Sequence, residues 1–471
     1  MNIVLIDPRA NRMPAESFPH LGLGYLAAVC KESGHNVRLI DFRMLSESER
    51  EQLVRESHEV VGITATSFTY DDTLKVAAKI RESNPGVKLI LGGPHVSVAA
   101  DDVLIGSPFD FAIEGEGEVT LKELLKELQN GSNDGYRSIP GLMYLENGKT
   151  VHNAPRPWIE DLDSLPEPDF SSLDMKQYSH YPLATSRGCP FLCVYCNCGT
   201  IWGKKWRFRS PERIVSEMEK LKQHTEWGEK SINIIDDTFN LNSERVEAIC
   251  DLMISKNMGI DFYVWGFRAD RTPLNILQKL KQAGCLCVSV GVESANPGVL
   301  KRIRKGETIE QITETLVNLK KVGIYPMCLF MVGNPGDTLE TVRETIRFVK
   351  KNRLYLVAFN MALPYPKTDL WDYVEREGTF HQKDYTNFHH YSEKPIFETP
   401  DFTSAERSEA FRLVQRLERI QRIKFEIWRK FMLIRRGDFS AITWKRVRAF
   451  VARLGKYVMD LTLRREPEEK L

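Results

Sequence analysis

The sequence predicts an α/β protein: a doubly wound, Rossmann-like domain, then a partial or full (β/α) barrel of TIM type, then a helical tail. Three observations predict it. Residues 1–138 alternate short apolar strand patterns with helical ones, the pattern of a parallel sheet covered on both faces. The alternation breaks at a proline-rich acidic stretch and resumes over 179–395 with six more strand patterns. Residues 396–471 carry no strand pattern.

In the first domain, Ile3–Ile6, Val37–Asp41, Val60–Ala65, Lys88–Leu91 and Phe111–Ile113 read as strands. Leu23–Lys31, Asp71–Arg81 and Glu118–Leu128 read as the intervening helices. Ligands of such sheets bind at the C-terminal strand ends. Residues 139–178 begin with a hairpin, Leu142–Glu146 and Thr150–Val151 about Asn147-Gly148, because Asn-Gly suits a tight turn with positive φ. Pro155, Pro157, Pro166 and Pro168 then make an extended linker. The barrel strands are placed at Leu183–Ser186, Ile232–Ile235, Phe262–Trp265, Val288–Val292, Met327–Val332 and Leu356–Met361.

At 471 residues the chain exceeds what one hydrophobic core supports. Its 42% hydrophobic and 27% charged residues are those of a soluble globular protein. A net charge of +1 argues neither for nor against nucleic acid. The start meets a charge at Asp7, so no signal peptide is expected, and no apolar run approaches the length of a membrane span. The expected location is cytoplasmic. Nine cysteines, three of them clustered, suit metal binding in that compartment better than disulfides.

The cluster is Ser186-Arg187-Gly188-Cys189-Pro190-Phe191-Leu192-Cys193-Val194-Tyr195-Cys196, directly after the first barrel strand. Three thiolates on one loop can hold three irons of a [4Fe–4S] cubane and leave the fourth open. An open iron can be chelated by the amino and carboxylate groups of an amino acid. The competing reading is structural zinc, with Cys198 as fourth ligand. The Cys-x-Cys spacing is cramped for it, and no Cys/His pair follows nearby.

Cys-x₃-Cys-x-aromatic-Cys in this place resembles the radical S-adenosylmethionine (SAM) superfamily. The resemblance implies that Cys189, Cys193 and Cys196 hold the cluster and that Tyr195 packs near the SAM adenine. Later strand ends add to it: Asp236-Asp237-Thr238-Phe239, Arg268-Ala269-Asp270, Gly291-Val292-Glu293-Ser294, Gly333-Asn334-Pro335-Gly336-Asp337-Thr338 and Pro364-Tyr365-Pro366. It implies that Glu293 and Ser294 lie near the ribose and amino-acid end of SAM. It implies that the Gly333-Asn334-Pro335 turn approaches the adenine through its backbone. Asp236 is placed in the same site, its other reading being a cap for the next helix. Arg268 can grip the SAM carboxylate, or substrate, in bidentate fashion. Where relatives continue Pro-Tyr-Pro with Gly-Thr, this chain has Lys367-Thr368.

The first domain resembles the cobalamin (B12)-binding domain that many relatives carry. The matching segments are residues 19–28, Thr64 to Ser67, Gly92-Gly93-Pro94-His95 and Glu114-Gly115-Glu116-Gly117-Glu118, with Ile159 to Pro166 in the linker. Thr64, Ser67, Gly92, Gly93, Pro94, Glu114, Gly115, Glu116 and Gly117 are the implied cobalamin contacts. The cobalt-ligating Asp-x-His-x-x-Gly of many such domains is replaced here by Asp7-Pro8-Arg9-Ala10-Asn11-Arg12. Cobalt is therefore expected to lack a protein histidine, and a degenerate domain without cobalamin is the alternative. His95 reads as a loop residue at the cofactor edge or in solvent, not as a ligand.

Residues 412–465 hold sixteen Lys and Arg against four acids, with Phe425, Trp428, Phe431, Trp444, Phe450 and Tyr457 interleaved. Such helices cap a barrel with a solvated basic face, or meet anionic membrane surfaces. Nucleic acid is the weakest reading. The expected protein is a cobalamin-dependent radical SAM enzyme, fed by an electron donor such as flavodoxin or ferredoxin. A 5′-deoxyadenosyl radical takes hydrogen from an unactivated carbon of a small, lipid- or tetrapyrrole-like substrate, and a methyl group follows from methylcobalamin. The alternatives are B12-dependent oxidation or ring closure without methyl transfer, and a cobalamin-binding Fe–S sensor. Peripheral contact with the inner membrane face, through the tail, is the expected membrane association.

Overall fold

Apolar runs too short for helices build two sheets, and the helices between them cover both. The computed structural model describes residues 1–9, 18–99, 103–131, 134–223, 230–384 and 388–435, without the side chains of 429–435. The first domain runs β1 (Asn2–Asp7), α1 (Leu21–Glu32), β2 (Asn36–Asp41), α2 (Glu47–Arg55), β3 (Val60–Thr64), α3 (Tyr70–Ser83), β4 (Lys88–Gly92), α4 (Pro94–Ala99), β5 (Phe111–Ile113), α5 (Gly117–Gln129), β6 (Leu142–Glu146) and β7 (Lys149–His152). The sheet order is β2-β1-β3-β4-β5-β6-β7. The first five strands are parallel, so chain order reverses between β1 and β3, the place where doubly wound sheets bind ligands. The hairpin read as the start of the connector is instead the far edge of this sheet, since β6 pairs antiparallel with β5. Helix α2, absent from the expected elements, starts on a capping box of Ser46 and Glu49.

The connector is not loose. Asp169 donates its backbone N–H to the Gly24 carbonyl, and Phe170 packs on the cores of both domains. Tyr178 donates to buried Asp41 at 2.9 Å.

The second sheet begins with β8 (His180–Leu183), followed by β9 (Ser186–Arg187), α6 (Cys198–Trp202), β10 (Arg207–Phe208), α7 (Pro211–Gln223), β11 (Ser231–Ile235), α8 (Ser243–Ser255), β12 (Phe262–Phe267), α9 (Leu274–Ala283), β13 (Cys285–Glu293), α10 (Pro297–Arg302), α11 (Ile309–Val322), β14 (Tyr325–Val332), α12 (Leu339–Lys351) and β15 (Leu356–Met361). Six strands lie side by side in chain order, β8-β11-β12-β13-β14-β15, all parallel. This is a partial barrel, open between β8 and β15. Its first strand ends earlier than expected. Thr185 and Ser186 leave it because both donate to Asp236, and Ser186 pairs with β10 instead.

After α13 (Asp369–Glu377), β16 (Thr379–Phe380) and β17 (Phe397–Glu398), the long helix α14 (Ser404–Arg435) packs on edge strand β15. Ala410, Phe411, Val414 and Leu417 enter the barrel core, and Glu418 accepts the Phe359 N–H of that edge at 3.4 Å. The first half of the basic region is thus a barrel cap. Residues 436–465, the rest of it, lie outside the described residues. No helix among the described residues is long and apolar enough to cross a membrane.

Candidate active site

The cysteine loop leaves β9 through Gly188, whose φ of +86° and close approach to the Lys205 carbonyl exclude a side chain. Backbone hydrogen bonds tie the loop to the barrel: Val194 to Ile303 (3.1 Å) and Leu370 to Val194 (2.9 Å). Cys189 and Cys193 are half-buried and Cys196 is exposed. Thr238 donates to Cys189 Sγ at 3.2 Å. Cys198 donates its N–H to Cys196 Sγ at 3.4 Å, and its thiol, with one proton to give, lies near both Cys189 and Cys196. A hydrogen bond from Cys198 is the chief cause that lowers Cys189 to about 6, and it lowers Cys196 in the same sense. Burial raises Cys193. Cys189 thus takes a hydrogen bond from Thr238, and Cys196 one from the Cys198 N–H, as thiolates do.

The strand ends meet beside this loop, but not all in the expected roles. Asp236 is turned away from it, with both carboxylate oxygens occupied by Thr185 and Ser186; it braces β8 rather than facing a ligand. Its neighbour Asp237 faces the loop, accepting the Gly188 N–H at 3.1 Å, and is exposed to the cavity of the first domain. Arg268 lies over the Phe191 ring at 3.5 Å and donates to Asp270 and the Lys305 carbonyl, so its fork is already engaged. Ser294 is held inside its own turn, accepting from Asn296 N. Glu293 has a left-handed φ of +62°, a strained conformation for a non-glycine residue, and reaches Lys305 Nζ at 3.3 Å. Tyr195 lies near Glu293, and burial and the Glu293 charge raise its hydroxyl pKa. Lys305 and Glu307, 3.4 Å apart, complete a buried charge group near Cys193. Sequence reading missed both, although they follow the fourth strand on the functional face, where a buried Lys is a signal. In the fifth-strand turn, Asn334 Oδ1 is buried without a hydrogen-bond partner among the described residues.

A cavity of about 400 Å³ opens at the β1/β3 switch point and runs between the first sheet and helices α1 and α5. Thr64, Gly92, Gly93, Pro94, Gly115, Glu116 and Gly117 line it; Ser67 and Glu114 lie outside its wall. Gly93 (φ +95°) packs so tightly on Thr64 and Ala65 that a Cβ would collide with both. Ser67 pairs with His95 at 3.1 Å. His95 is wholly buried at the start of α4, not in a solvent-facing loop, and lies against the Tyr70 ring. The Glu114 carboxylate faces Lys367 across the domain boundary, 3.9 Å away. The far wall of the cavity belongs to the barrel: Ser186, Arg187, Trp202, Ile235 and Asp237.

A buried ion network locks that wall in place. Arg187 donates to Glu116 (2.8 Å) and Glu118 (2.6 Å), between the rings of Tyr25 and Trp202. Arg207 donates to both Glu116 oxygens and to the Ile159 carbonyl. Glu116 also accepts the Ile159 N–H, so its carboxylate serves the domain junction as well as the cavity rim.

Residues 183–349 match the model of the Radical SAM superfamily and residues 14–125 that of the B12 binding domain. The chain is 35% identical over 429 residues to the uncharacterized methyltransferase PH0819 of Pyrococcus horikoshii, covering 88% of this chain and 91% of that one. It is a B12-binding radical SAM enzyme. Its cofactors are a [4Fe–4S] cluster, SAM and cobalamin. Among further relatives of this radical SAM enzyme is the anaerobic magnesium-protoporphyrin IX monomethyl ester cyclase of Cereibacter sphaeroides, 29% identical over 79% of this chain and 63% of that one. The fold matches that of the radical SAM methyltransferase TsrM from Kitasatospora setae, solved with cobalamin and a [4Fe–4S] cluster. The TM-score is 0.69 at 18% identity, over 81% of this chain and 77% of that one.

The residues present suit these groups. Three loop cysteines leave one iron of a cubane open. The orphaned Asn334 Oδ1 suits an amine donor such as that of adenine. The cavity is mostly apolar, with Arg9, Glu116, Glu118, Arg187 and Asp237 among its wall residues, and of a size for the nucleotide tail of a cobalamin, not for the whole corrin.

Proposed function

We propose that this enzyme methylates an unactivated carbon of a small apolar molecule, lipid- or tetrapyrrole-like. The observation that carries the reading is the shared wall: Arg187, two residues before Cys189, lines the cavity of the first domain. A cobalamin held by its tail in that cavity would lie against a wall that the cluster loop shares, as a reaction using both requires. When bound, the three cofactors would supply reductive cleavage of SAM, hydrogen abstraction by a carbon radical and a methyl group; the protein orients them and excludes water.

The chain's own groups divide the work as follows. Cys189, Cys193 and Cys196 hold the cluster, with Thr238 and Cys198 hydrogen-bonding its sulfurs. Lys305, between Glu293 and Glu307, and Arg268, paired with Asp270, are the buried cations beside the loop that would meet the SAM carboxylate. Glu293 faces the ribose, with Tyr195 beside it. Asn334 and the Gly333 turn receive the adenine. Thr64, Gly92, Gly93 and Gly115 cradle the cobalamin tail. The reducing electron comes from a small carrier of the flavodoxin or ferredoxin type. The basic C-terminal region brings the enzyme to an anionic membrane surface, which suits a lipid-like substrate.

The cyclase relative supports a second reading, oxidation or ring closure without methyl transfer. Mass spectrometry of cell extracts, from strains with and without the enzyme and fed deuteromethyl methionine, separates the two. A compound that gains a deuteromethyl group only with the enzyme supports methylation. A product changed by loss of hydrogen alone would support cyclisation and end the methylation reading.

A further inference from the structure

We infer that Arg407, on the C-terminal helix, is a positioning residue of the SAM site: it fixes the fifth-strand turn against which the adenine lies. The inference rests on that placement of SAM.

Arg407 is the largest wholly buried side chain among the described residues, 1% exposed, on the first turn of α14. Its guanidinium donates to the carbonyls of Phe402 (2.8 Å) and Gly333 (3.1 Å) and to Thr399 Oγ1 (3.2 Å), and lies over the rings of Phe397 and Phe402. All three acceptors are neutral. Among the described residues no carboxylate comes within ion-pair distance of it. Asp337 and Glu398 act on it only from beyond that distance. A buried cation hydrogen-bonded to neutral acceptors alone is a costly arrangement, and a methionine or leucine would fill the space between two phenylalanines without that cost. What an apolar side chain cannot do is hold the Gly333 carbonyl.

That carbonyl belongs to a turn gripped from both sides. Asp337 accepts the N–H groups of Gly333 (3.0 Å) and Asn334 (2.9 Å) and is itself fixed by Thr341. Arg407 takes the carbonyl on the opposite side, packing so closely that a Cβ at Gly333 would strike Nη1. With its backbone polar groups claimed by Asp337 and Arg407, the turn presents the unpartnered Oδ1 of Asn334 as its free acceptor. The ligand chemistry that completes it is a planar amine donor. Arg407 touches neither SAM nor the cluster; it acts through the turn. On this view the helix after the barrel is part of the SAM site, and the 74 positions between Gly333 and Arg407 are bridged by one hydrogen bond.

The test uses full-length protein, reconstituted anaerobically with iron, sulfide and cobalamin. SAM is titrated and read by calorimetry and by the change it causes in the electron paramagnetic resonance of the reduced cluster. Arg407→Met should keep its irons and cobalamin while SAM binds roughly tenfold weaker or worse, the effect of losing one charge-assisted hydrogen bond. Arg407→Lys, which keeps a donor, should recover part of the affinity. A cofactor-replete Arg407→Met protein with wild-type SAM affinity overturns the inference. If that variant loses irons and cobalamin together, Thr399→Val decides, since it removes one acceptor and leaves no charge unpaired. Weaker SAM binding by that variant upholds the role, and unchanged binding overturns it. Wild-type protein whose cluster spectrum ignores SAM would remove the site itself, and the inference with it.

Discussion

Replacing Glu116 by Ala should be the most damaging single change outside the cysteine loop. The Glu116 carboxylate is 2% exposed, and the two arginines it neutralises are 8% and 1% exposed. The substitution removes three charged hydrogen bonds and one from the Ile159 N–H. Arg187 keeps Glu118, but Arg207 keeps only carbonyl partners. Breaking a buried pair in this way costs about 3–5 kcal/mol, because a guanidinium stays buried without its counter-charge. For a cooperative unit of one domain that is roughly a 10 °C fall in the unfolding midpoint. Calorimetry of the apo-protein measures it, and Glu116→Gln, which keeps the acceptor but not the charge, should fall between the two. Cobalamin affinity should drop as well, since Glu116 and Arg187 line the cavity. A loss under about 1 kcal/mol in Glu116→Ala would mean that water reaches the carboxylate and would refute the buried lock.

Further outcomes follow from the same geometry. Cys193→Ala should lose the cluster in iron and sulfide analysis, whereas Cys198→Ala, which removes a donor and not a ligand, should retain about four irons per chain. Thr238→Val removes the hydrogen bond on Cys189 Sγ, so redox titration should show a lower cluster potential at unchanged iron content. Gly93→Ala should abolish cobalamin retention in gel filtration, because the new Cβ collides with Thr64 and Ala65 at the cavity wall. His95 is held neutral by burial, its folded pKa near 4 against 6.5 in the unfolded chain. Its stabilising contribution is therefore complete above pH 6.5 and is lost as pH falls toward 4. About 2 kcal/mol should go by pH 5, at about 1.4 kcal/mol per unit, and a His95→Leu variant should lack that part of the acid sensitivity in urea titrations.

Much of this was legible in the sequence where one residue type has one use. Alternating apolar runs mark β1 to β5 and the six barrel strands, since short buried strands between amphipathic helices fit few other folds. The spacing of Cys189, Cys193 and Cys196 carries the resemblance to the radical SAM superfamily, and the family match supports the [4Fe–4S] cofactor. What the sequence hid was pairing across distance. Asp236 looks like a ligand because it ends its strand, yet its carboxylate is satisfied by Thr185 and Ser186. Nothing local shows that β6 and β7 join the first sheet, because antiparallel pairing to β5 is decided by edges and not by pattern. Arg407 could not be read at all: one arginine in a basic helix looks like solvent-facing charge until its burial is seen.

The central claim is that cluster and cobalamin meet at one wall and work on SAM together. Incubating the reconstituted, reduced enzyme with deuteromethyl SAM tests it most directly, by mass spectrometry of the bound cobalamin and of 5′-deoxyadenosine. With cell extract present as the source of substrate, the account predicts that the label is recovered on the cobalamin with S-adenosylhomocysteine as its co-product, and that a second SAM yields methionine and 5′-deoxyadenosine, its new hydrogen taken from the substrate. SAM left intact by a protein that holds both its cluster and its cobalamin would contradict it.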